Sequence, residues 1–359
     1  MAKPVTRTRR SARRIFVLLG LLAAIGCGGW WMFLRDPGGS AAPTNIPAPE
    51  PLTIIEDERP LMGTLFKIVV YGTDEEAARE AIEAAFRRGL AIETICSDYN
   101  PASELSGLNA SEQDELVTIS PTLAAVLAHA HETADVTEGL YDPTLGALTS
   151  LWRQSRDTKS LPAPETLAAA RETTGWRHLE VNLDESTATI RKAGLKIDLG
   201  GVAKGFAADD MFTILQKHGF TRALIAAGGD VRLGDPPPGA PAWRVGLRTF
   251  GPEAREFIQV ANCAVSTSGD LQQFVEIEGK RYAHIINPAT GLGLTGRIAA
   301  TIIAPTATQS DPLATFACIA PDTALQAFMG GEIHCRILTY SRGEFQDRRS
   351  RQFPRVDSL

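Results

Sequence analysis

The sequence predicts an α+β domain with largely antiparallel sheets flanked by helices, preceded by a single N-terminal membrane helix. Two observations point to the domain. Short runs of strand-forming residues recur from residue 63 to residue 340, and amphipathic helical stretches lie beside them. A third observation points to the anchor, because Ile15 to Leu34 is twenty residues without a charge, enough to span a hydrocarbon core of roughly 30 Å. At 359 residues, 44% hydrophobic and 22% charged, the chain as a whole has the composition of an ordinary globular protein.

Residues 1–14 are basic (Lys3, Arg7, Arg9, Arg10, Arg13, Arg14), and positive charge nearly vanishes just after the apolar run. The positive-inside rule then puts the N-terminus in the cytoplasm and the body outside. In a bacterium this describes a single-pass inner-membrane protein with its domain on the periplasmic or extracytoplasmic side. Arg13-Arg14-Ile15-Phe16 is twin-arginine-like, Ala24-Ile25-Gly26-Cys27 is a loose lipoprotein box, and the run could be a cleaved signal. A retained anchor over 15–34 is favoured, because apolar residues continue through Trp30, Trp31, Phe33 and Leu34 with no small-residue cleavage site. Residues 35–58, rich in Pro, Ala and Gly, read as an extended tether, 59–345 as the domain, and 346–359 as a mobile tail.

The formal charge of −6 is uneven: with the basic N-terminus set aside, the body is more acidic than the whole. Such a body matches phosphate backbones poorly, so nucleic acid is excluded as a partner, and an anionic ligand needs a local device such as a metal. Five cysteines (Cys27, Cys96, Cys263, Cys318, Cys335) show neither CxxC spacing nor a disulfide framework. Buried thiols are the plain reading of the last four, and one or two disulfides the alternative in an oxidising compartment.

The elements follow in order. Gly63 to Tyr71 reads as a strand, and Thr73 with Glu76 as a capping box opening a helix through about Cys96, with Ala77, Ala81, Ala84, Ala85 and Leu90 as its buried stripe. Ser120-Pro121 starts a helix to about Thr133, with proline in the favoured first position. Strands are predicted at His178 to Asn182 and Thr187 to Lys192, then a helix from Val202 to His218. More strands follow at Arg222 to Ala226, Trp243 to Leu247, Phe257 to Val260, Cys263 to Thr267, Phe274 to Glu278, Tyr282 to Ile286 and Ala299 to Ala304. Helices over Gln309 to Ile319 and Thr323 to Met329, and a strand Cys335 to Tyr340, close the set.

Several motifs can be dismissed. Gly291-Leu-Gly-Leu-Thr-Gly296 fits the dinucleotide fingerprint G-x-G-x-x-G, but a β-branched run follows it where a helix is required, so it reads as a turn between strands. His129 and His131, two apart on a helix, face different ways and form no metal pair. HExxH, GxSxG and the P-loop are all lacking, so zinc proteases, serine hydrolases and P-loop NTPases lose their support.

Other segments can carry chemistry. Asp198-Leu-Gly-Gly-Val-Ala-Lys-Gly205 lies between a strand and a helix: glycines let backbone approach a ligand, the helix N-terminus favours anions, and Lys204 adds a point charge. A glycine turn with a surface ion pair would look the same, and so would Ala227-Gly228-Gly229-Asp230. Ser266 to Asp270 and Tyr282 to Gly291 set hydroxyls, a carboxylate and the imidazole of His284 at strand ends, and a histidine so placed can serve as a general base. Asp311 and Thr315 share one helix face, so their oxygens can converge on a hard cation, although an N-terminal cap would also explain the aspartate.

Taken together, these segments resemble the ApbE-type FAD:protein FMN transferases, also called thiamine-biosynthesis lipoproteins. The resemblance runs in order through Pro60 to Thr64, Ser97 to Asn109, Tyr141 to Gly146, Leu151-Trp152, Asp198 to Gly205, Gly228 to Asp230, Ser266 to Asp270, His284 to Gly291 and Asp311 to Thr315, about residues 59–340. It implies a T-fold-like α+β domain. It also implies FAD as substrate, contacted by Met62, Tyr99, Leu140, Tyr141, Asp142, Asp198, Lys204 and His284, and Mg²⁺ held by Gly201, Asp311, Ala314 and Thr315. His284, Asp311 and Lys204 become the catalytic set. Asn287 stands where the family usually has Asp, and Ser310 where it usually has Ala.

The implied reaction moves FMN from FAD to a Ser or Thr hydroxyl of an acceptor protein, with respiratory or electron-transfer membrane proteins as expected acceptors, and releases AMP. It needs positioning and charge neutralisation more than covalent machinery, in keeping with a metal, a lysine and helix N-termini. A Mg²⁺-dependent FAD pyrophosphatase, in which water replaces the hydroxyl, and a flavin-binding lipoprotein without turnover are the alternatives.

Overall fold

The computed structural model describes residues 51–250, 256–270, 273–328, 330–341 and 343–358. The expected membrane helix 15–34, the basic segment 1–14 and most of the tether lie outside these residues. Among the described residues no helix is long and apolar enough to cross a membrane.

Strands β1 (Thr53–Leu61) and β2 (Thr64–Gly72) form an antiparallel hairpin. Met62 and Gly63 turn it with φ of 51° and 71°, two left-handed residues in succession as a type I′ turn needs. The fold therefore starts inside the stretch expected to be tether: Ile55 and Leu61 turn inward, Glu56 and Glu58 alternate outward, and Pro60 is tolerated because β1 is an edge strand. Helix α1 (Glu75–Cys96) is capped by Asp74, one residue later than the predicted Thr73, with Asp74 Oδ1 accepting from Ala77 N at 3.0 Å. Its buried stripe is Ala78, Ala81, Ile82, Ala85, Phe86, Gly89 and Ile92, and Leu90 is exposed.

Then come α2 (Glu104–Asn109), β3 (Leu116–Thr118), α3 (Pro121–Val136), α4 (Gly146–Thr158), α5 (Pro164–Glu172), a 3-10 turn at Trp176–His178, β4 (Leu179–Asn182) and β5 (Thr187–Ile190). Ser120 caps α3 as predicted, accepting from Leu123 N at 3.1 Å. Helix α6 (Ala203–Lys217) leads to β6 (Ala223–Ala227), β7 (Asp230–Leu233), β8 (Trp243–Leu247), β9 (Glu256–Val260) and β10 (Ala264–Gly269). The chain continues through β11 (Phe274–Ile277), β12 (Lys280–Ile286), β13 (Gly293–Thr295), β14 (Arg297–Ala304), α7 (Ala307–Ile319), α8 (Asp322–Phe328), β15 (His334–Ser341), β16 (Glu344–Arg349) and β17 (Asp357–Ser358). The Gly291–Gly296 motif is, as expected, a turn and short strand before β14.

The main sheet has eight strands in the order β1-β2-β6-β7-β10-β14-β15-β16, with every neighbouring pair antiparallel. Helices α1, α6 and α7 pack on one face, over fully buried Phe66, Ile68 and Val70 of β2 and Ala223, Ile225 and Ala227 of β6. The period of two turns Ser266 and Ser268 of β10 to the helix side, where they meet Ser310 and Thr315 of α7. Another cluster joins Val265 and Ile303 of the main sheet to Trp243, Val245 and Leu247 of β8 and Ile258 of β9. A third joins Leu148 and Trp152 of α4 to Val275, Ile277, Tyr282 and Ile286 of the small sheet β11-β12-β13.

The C-terminal segment differs from the expected mobile tail. β16 runs to Arg349, Phe353 and Val356 pack on the Trp243 cluster, and β17 pairs with β9. Cys96, Cys263, Cys318 and Cys335 are free thiols, three of them buried.

Candidate active site

The segment before α6 is shaped by its own side chain and by glycine. Asp198 N donates to Pro143 O at 2.8 Å, and Asp198 Oδ1 accepts from Gly200 N at 2.7 Å, turning the chain into the helix. One turn on, α6 crosses α7 at Gly205. A Cβ there would overlap the Ala307 carbonyl oxygen and stand 3.0 Å from Asp311 Cβ. This close approach lets Asp311 Oδ2 accept from Gly205 N at 3.2 Å and from Lys204 Nζ at 3.4 Å. Lys204 also donates to Gly200 O at 2.8 Å and lies 3.9 Å from Asp230 Oδ2.

The start of α7 is held by Asp209, whose carboxylate accepts from Ala307 N, Thr308 N and Thr308 Oγ1 at 3.0, 2.7 and 2.6 Å and pairs with Arg232 at 2.9 Å. Thr315 sits one turn beyond Asp311, its hydroxyl 3.4 Å from Ser268 Oγ. A Cβ on Gly201 would lie 3.7 Å from Thr315 Oγ1 and 3.2 Å from the Tyr141 ring. Gly201, over a hundred residues away in sequence, thus converges with Asp311 and Thr315. Ala314 is packed within α7 and is not among the residues lining the cavity.

That cavity, of about 660 Å³, is lined by Met62, Tyr99, Leu140, Tyr141, Asp142, Asp198, Gly201, Lys204, His284, Asp311 and Thr315, so every other sequence-predicted residue meets there. Met62 reaches it from the type I′ turn, with its amide donating to Glu93 Oε1 at 2.8 Å. Trp152, Phe274, Tyr282 and Ile286 give it an apolar wall. A cleft of similar volume beside Asp57, Arg59 and Glu83 contains none of the predicted residues.

Burial and crowding set the charge states. Burial opposes the Lys204 charge, but Asp311 and then Asp230 outweigh it, and the ammonium titrates above its ordinary value. Burial, followed by the Asp311 charge, pushes Asp230 to about 7 against the pull of Lys204 and the Ser266 hydroxyl. Burial and then Asp311 hold the Tyr141 phenol well above its usual range, so it is a neutral donor, and its buried hydroxyl has no hydrogen-bond partner. Asp142 is raised by burial, opposed by its bonds to Thr144. Its oxygens accept from Thr144 N and Oγ1 and from Trp176 N, so the carboxylate shapes its own loop as well as the cavity wall.

His284 stands on β12 with Nδ1 3.2 Å from Gln273 O. A carbonyl only accepts, so Nδ1 carries the proton and Nε2 keeps the lone pair a base needs. The imidazole is exposed to the cavity yet crowded by its walls. That desolvation, with the Lys204 and Arg156 charges, lowers its pKa against the opposing Gln273 bond. Asn287 leaves this arrangement untouched, because its side chain accepts from Ala289 N at 2.9 Å in its own turn. Asp270 is buried against Arg281 at 2.9 Å and Arg297 at 3.5 Å, and so it braces the sheet instead of lining the cavity.

The sequence reading missed Arg153 and Arg156, which α4 brings into the cavity, along with Glu93, Asp98, Gln273 and Phe274. The available signal was the spacing of Leu148, Trp152 and Ser155 on one helix face, all buried. Asp230 lay in a noted glycine turn but was given no role.

Fold and cavity together define the class: an α+β protein with a large, acid-lined cleft between the start of α6 and the middle of α7 and an aromatic wall, suited to an elongated ligand with polar and aromatic parts. Known proteins make this specific. The family model described as "ApbE family" matches residues 62–337. A protein of Treponema pallidum named FAD:protein FMN transferase is 32% identical over 83% of this chain and 82% of its own. The structure titled Flavin Transferase ApbE from Vibrio cholerae superposes with a TM-score of 0.74 at 27% identity, covering 84% of this chain and 99% of that one. The ApbE protein of Thermotoga maritima gives 0.75 at 29% identity, covering 84% and 98%. The chain belongs to the ApbE family.

Proposed function

We propose that this chain transfers FMN from FAD to a Ser or Thr hydroxyl of an acceptor protein, with Mg²⁺, releasing AMP. The observation that carries the reading is the meeting of Asp311, Thr315, Gly201, Lys204 and the base-ready His284 in one cavity of about 660 Å³. The relatives' printed names support flavin transfer, and the N-terminal apolar run with its upstream arginines supports a reading in which this domain lies on the extracytoplasmic side, beside membrane-held acceptors.

The residues present fit a hard cation. The cavity is lined by five acids (Glu93, Asp98, Asp142, Asp198, Asp311) against three permanent cations (Arg153, Arg156, Lys204), and Lys204 is already shared between Asp311 and Asp230. A pyrophosphate entering such a field needs added positive charge. Among the described residues no group of three or more His, Cys, Asp or Glu could hold a metal ion. Mg²⁺ would instead rest on Asp311, the Thr315 hydroxyl and the Gly201 carbonyl. When bound, it would neutralise charge on the pyrophosphate. The unpartnered Tyr141 hydroxyl can donate to an anionic oxygen beside Gly201.

The acceptor hydroxyl attacks the FMN-side phosphorus. A new P–O ester forms, the bond to the bridging oxygen breaks, and AMP leaves with that oxygen. His284 Nε2 takes the hydroxyl proton and returns it to solvent. Lys204, fixed by Gly200 and Asp311, holds a phosphate oxygen in place.

The test is incubation with FAD, Mg²⁺ and candidate acceptor domains, followed by a denaturing gel scanned for flavin fluorescence and quantification of AMP. Covalent flavin equal to AMP supports transfer. Free FMN and AMP with no labelled acceptor would point to hydrolysis, and no FAD cleavage under any of these conditions would defeat the reading.

A further inference from the structure

We propose that Arg153 is a positioning residue that holds Tyr99 as a stacking platform for one aromatic ring system of the bound dinucleotide, adenine or isoalloxazine; this rests on the reading of the cavity as a FAD site. Three chain segments meet at this one side chain. The guanidinium carbon lies 3.9 Å from the centroid of the Tyr99 ring, and Nη2 lies 2.6 Å from Asp98 Oδ2 and 3.4 Å from Asp198 Oδ2. Asp98 and Tyr99 follow the end of α1, Asp198 leads into α6, and Arg153 comes from the cavity side of α4.

Tyr99 remains 72% exposed with the guanidinium against one face, and its ring lines the cavity, so its other face is open to a ligand. A tyrosine so exposed on a loop gains little from apolar packing, and the ordering of its ring has to come from a specific contact. The flat guanidinium supplies one, while its N–H groups bind the carboxylates on either side. The same charge separates Asp98 from Asp198: burial and then Asp198 raise the Asp98 carboxyl, and Arg153 opposes them. Either ring of the dinucleotide offers the π-face such a platform takes.

The full chain, Arg153→Ala and Arg153→Lys are titrated separately with FAD, AMP and FMN, with thermal midpoints recorded in parallel. Arg153→Ala should bind FAD about tenfold more weakly, the size of one lost stacking contact, while kcat at saturating FAD stays within about threefold. The loss should fall on AMP or on FMN, not on both, and the affected half names the stacked ring. Arg153→Lys keeps the charge between the two aspartates, and with it the fold, but gives up the flat stack, so it should show the same one-sided loss at a near-normal midpoint. Unchanged affinities in both variants, or equal losses for AMP and FMN that mark a general loosening of the cavity, would overturn the assignment and leave the FAD reading standing. A wild type that binds no FAD would overturn both.

Discussion

Gly205→Ala adds one methyl group at the crossing of α6 and α7, and the structure sets its cost. The new Cβ would overlap the Ala307 carbonyl oxygen and stand 2.6 Å from the carbonyl carbon. Ordinary carbon contacts lie near 3.5 Å or more, so the two helices must part by about 1 Å. Both obstacles are backbone or Cβ atoms, and no flexible side-chain tip can swing away. Overpacking of this kind costs about 1–3 kcal/mol, which in a domain of this size lowers the thermal midpoint by about 2–5 °C. The same displacement stretches the bonds of Asp311 to Gly205 and Lys204, and a shift of about 1 Å in a catalytic group can cost roughly 10²-fold in rate. Calorimetry beside single-turnover FAD cleavage measures both effects. A wild-type midpoint together with wild-type turnover would refute the claim that this contact places Asp311.

Further outcomes follow from the same geometry. His284→Ala should lose transfer rate by about 10²–10⁴-fold with a much smaller loss of FAD affinity; parallel losses in titration and single-turnover assays would make His284 a flavin contact only. Because the working base is the neutral imidazole and its pKa lies below the ordinary 6.5, the rate should fall only as pH drops through that lower value and stay level at neutral pH; a pH–rate profile with its acid limb above 6.5 would contradict this. Asp311→Asn keeps an acceptor for the Gly205 amide and removes the charge, so the midpoint should hold while turnover drops by about 10²-fold or more. Chelation of Mg²⁺ should reproduce that loss in the wild type, and EDTA-resistant turnover would argue against a metal. In the metal-free protein the fold prefers Asp230 protonated, with a pKa near 7 against an ordinary 3.8. Stability from this group is therefore complete below about pH 4 and is lost as pH rises to about 7, so Asp230→Asn should gain on the wild type across that window. A constant difference in midpoint between the two from pH 4 to pH 7 would show that Asp230 is not so perturbed.

What the sequence made legible is what local pattern encodes. Ser120-Pro121 marked a helix start, alternating Trp243, Val245 and Leu247 marked β8, and Asp311 with Thr315 could be placed on one helical face. The misses are long-range. Helix α4 buries only Gly146, Leu148, Trp152 and Ser155, a stripe too thin to stand out amid polar residues, and Arg153 and Arg156 were lost with it. Asp230 comes near Lys204 only because β7 pairs with β6 and β10 beneath α6, a registry no window of sequence displays. The histidine tautomer depends on a main-chain carbonyl at Gln273, which leaves no side-chain signature. The tail looked unstructured because its partner, β9, lies about a hundred residues earlier.

The two outer strands of the main sheet bear on how copies of this protein coexist. Along β1 stand Glu56, Asp57, Glu58 and Arg59, and along β16 stand Glu344, Asp347, Arg348 and Arg349, with all six residues of β16 exposed. Each rim offers unpaired backbone groups that could template a strand from a neighbour. A neighbour would first have to strip water from this dense row of charge, so growth of the sheet from one molecule into the next is discouraged at both ends, and molecules can crowd together without fusing.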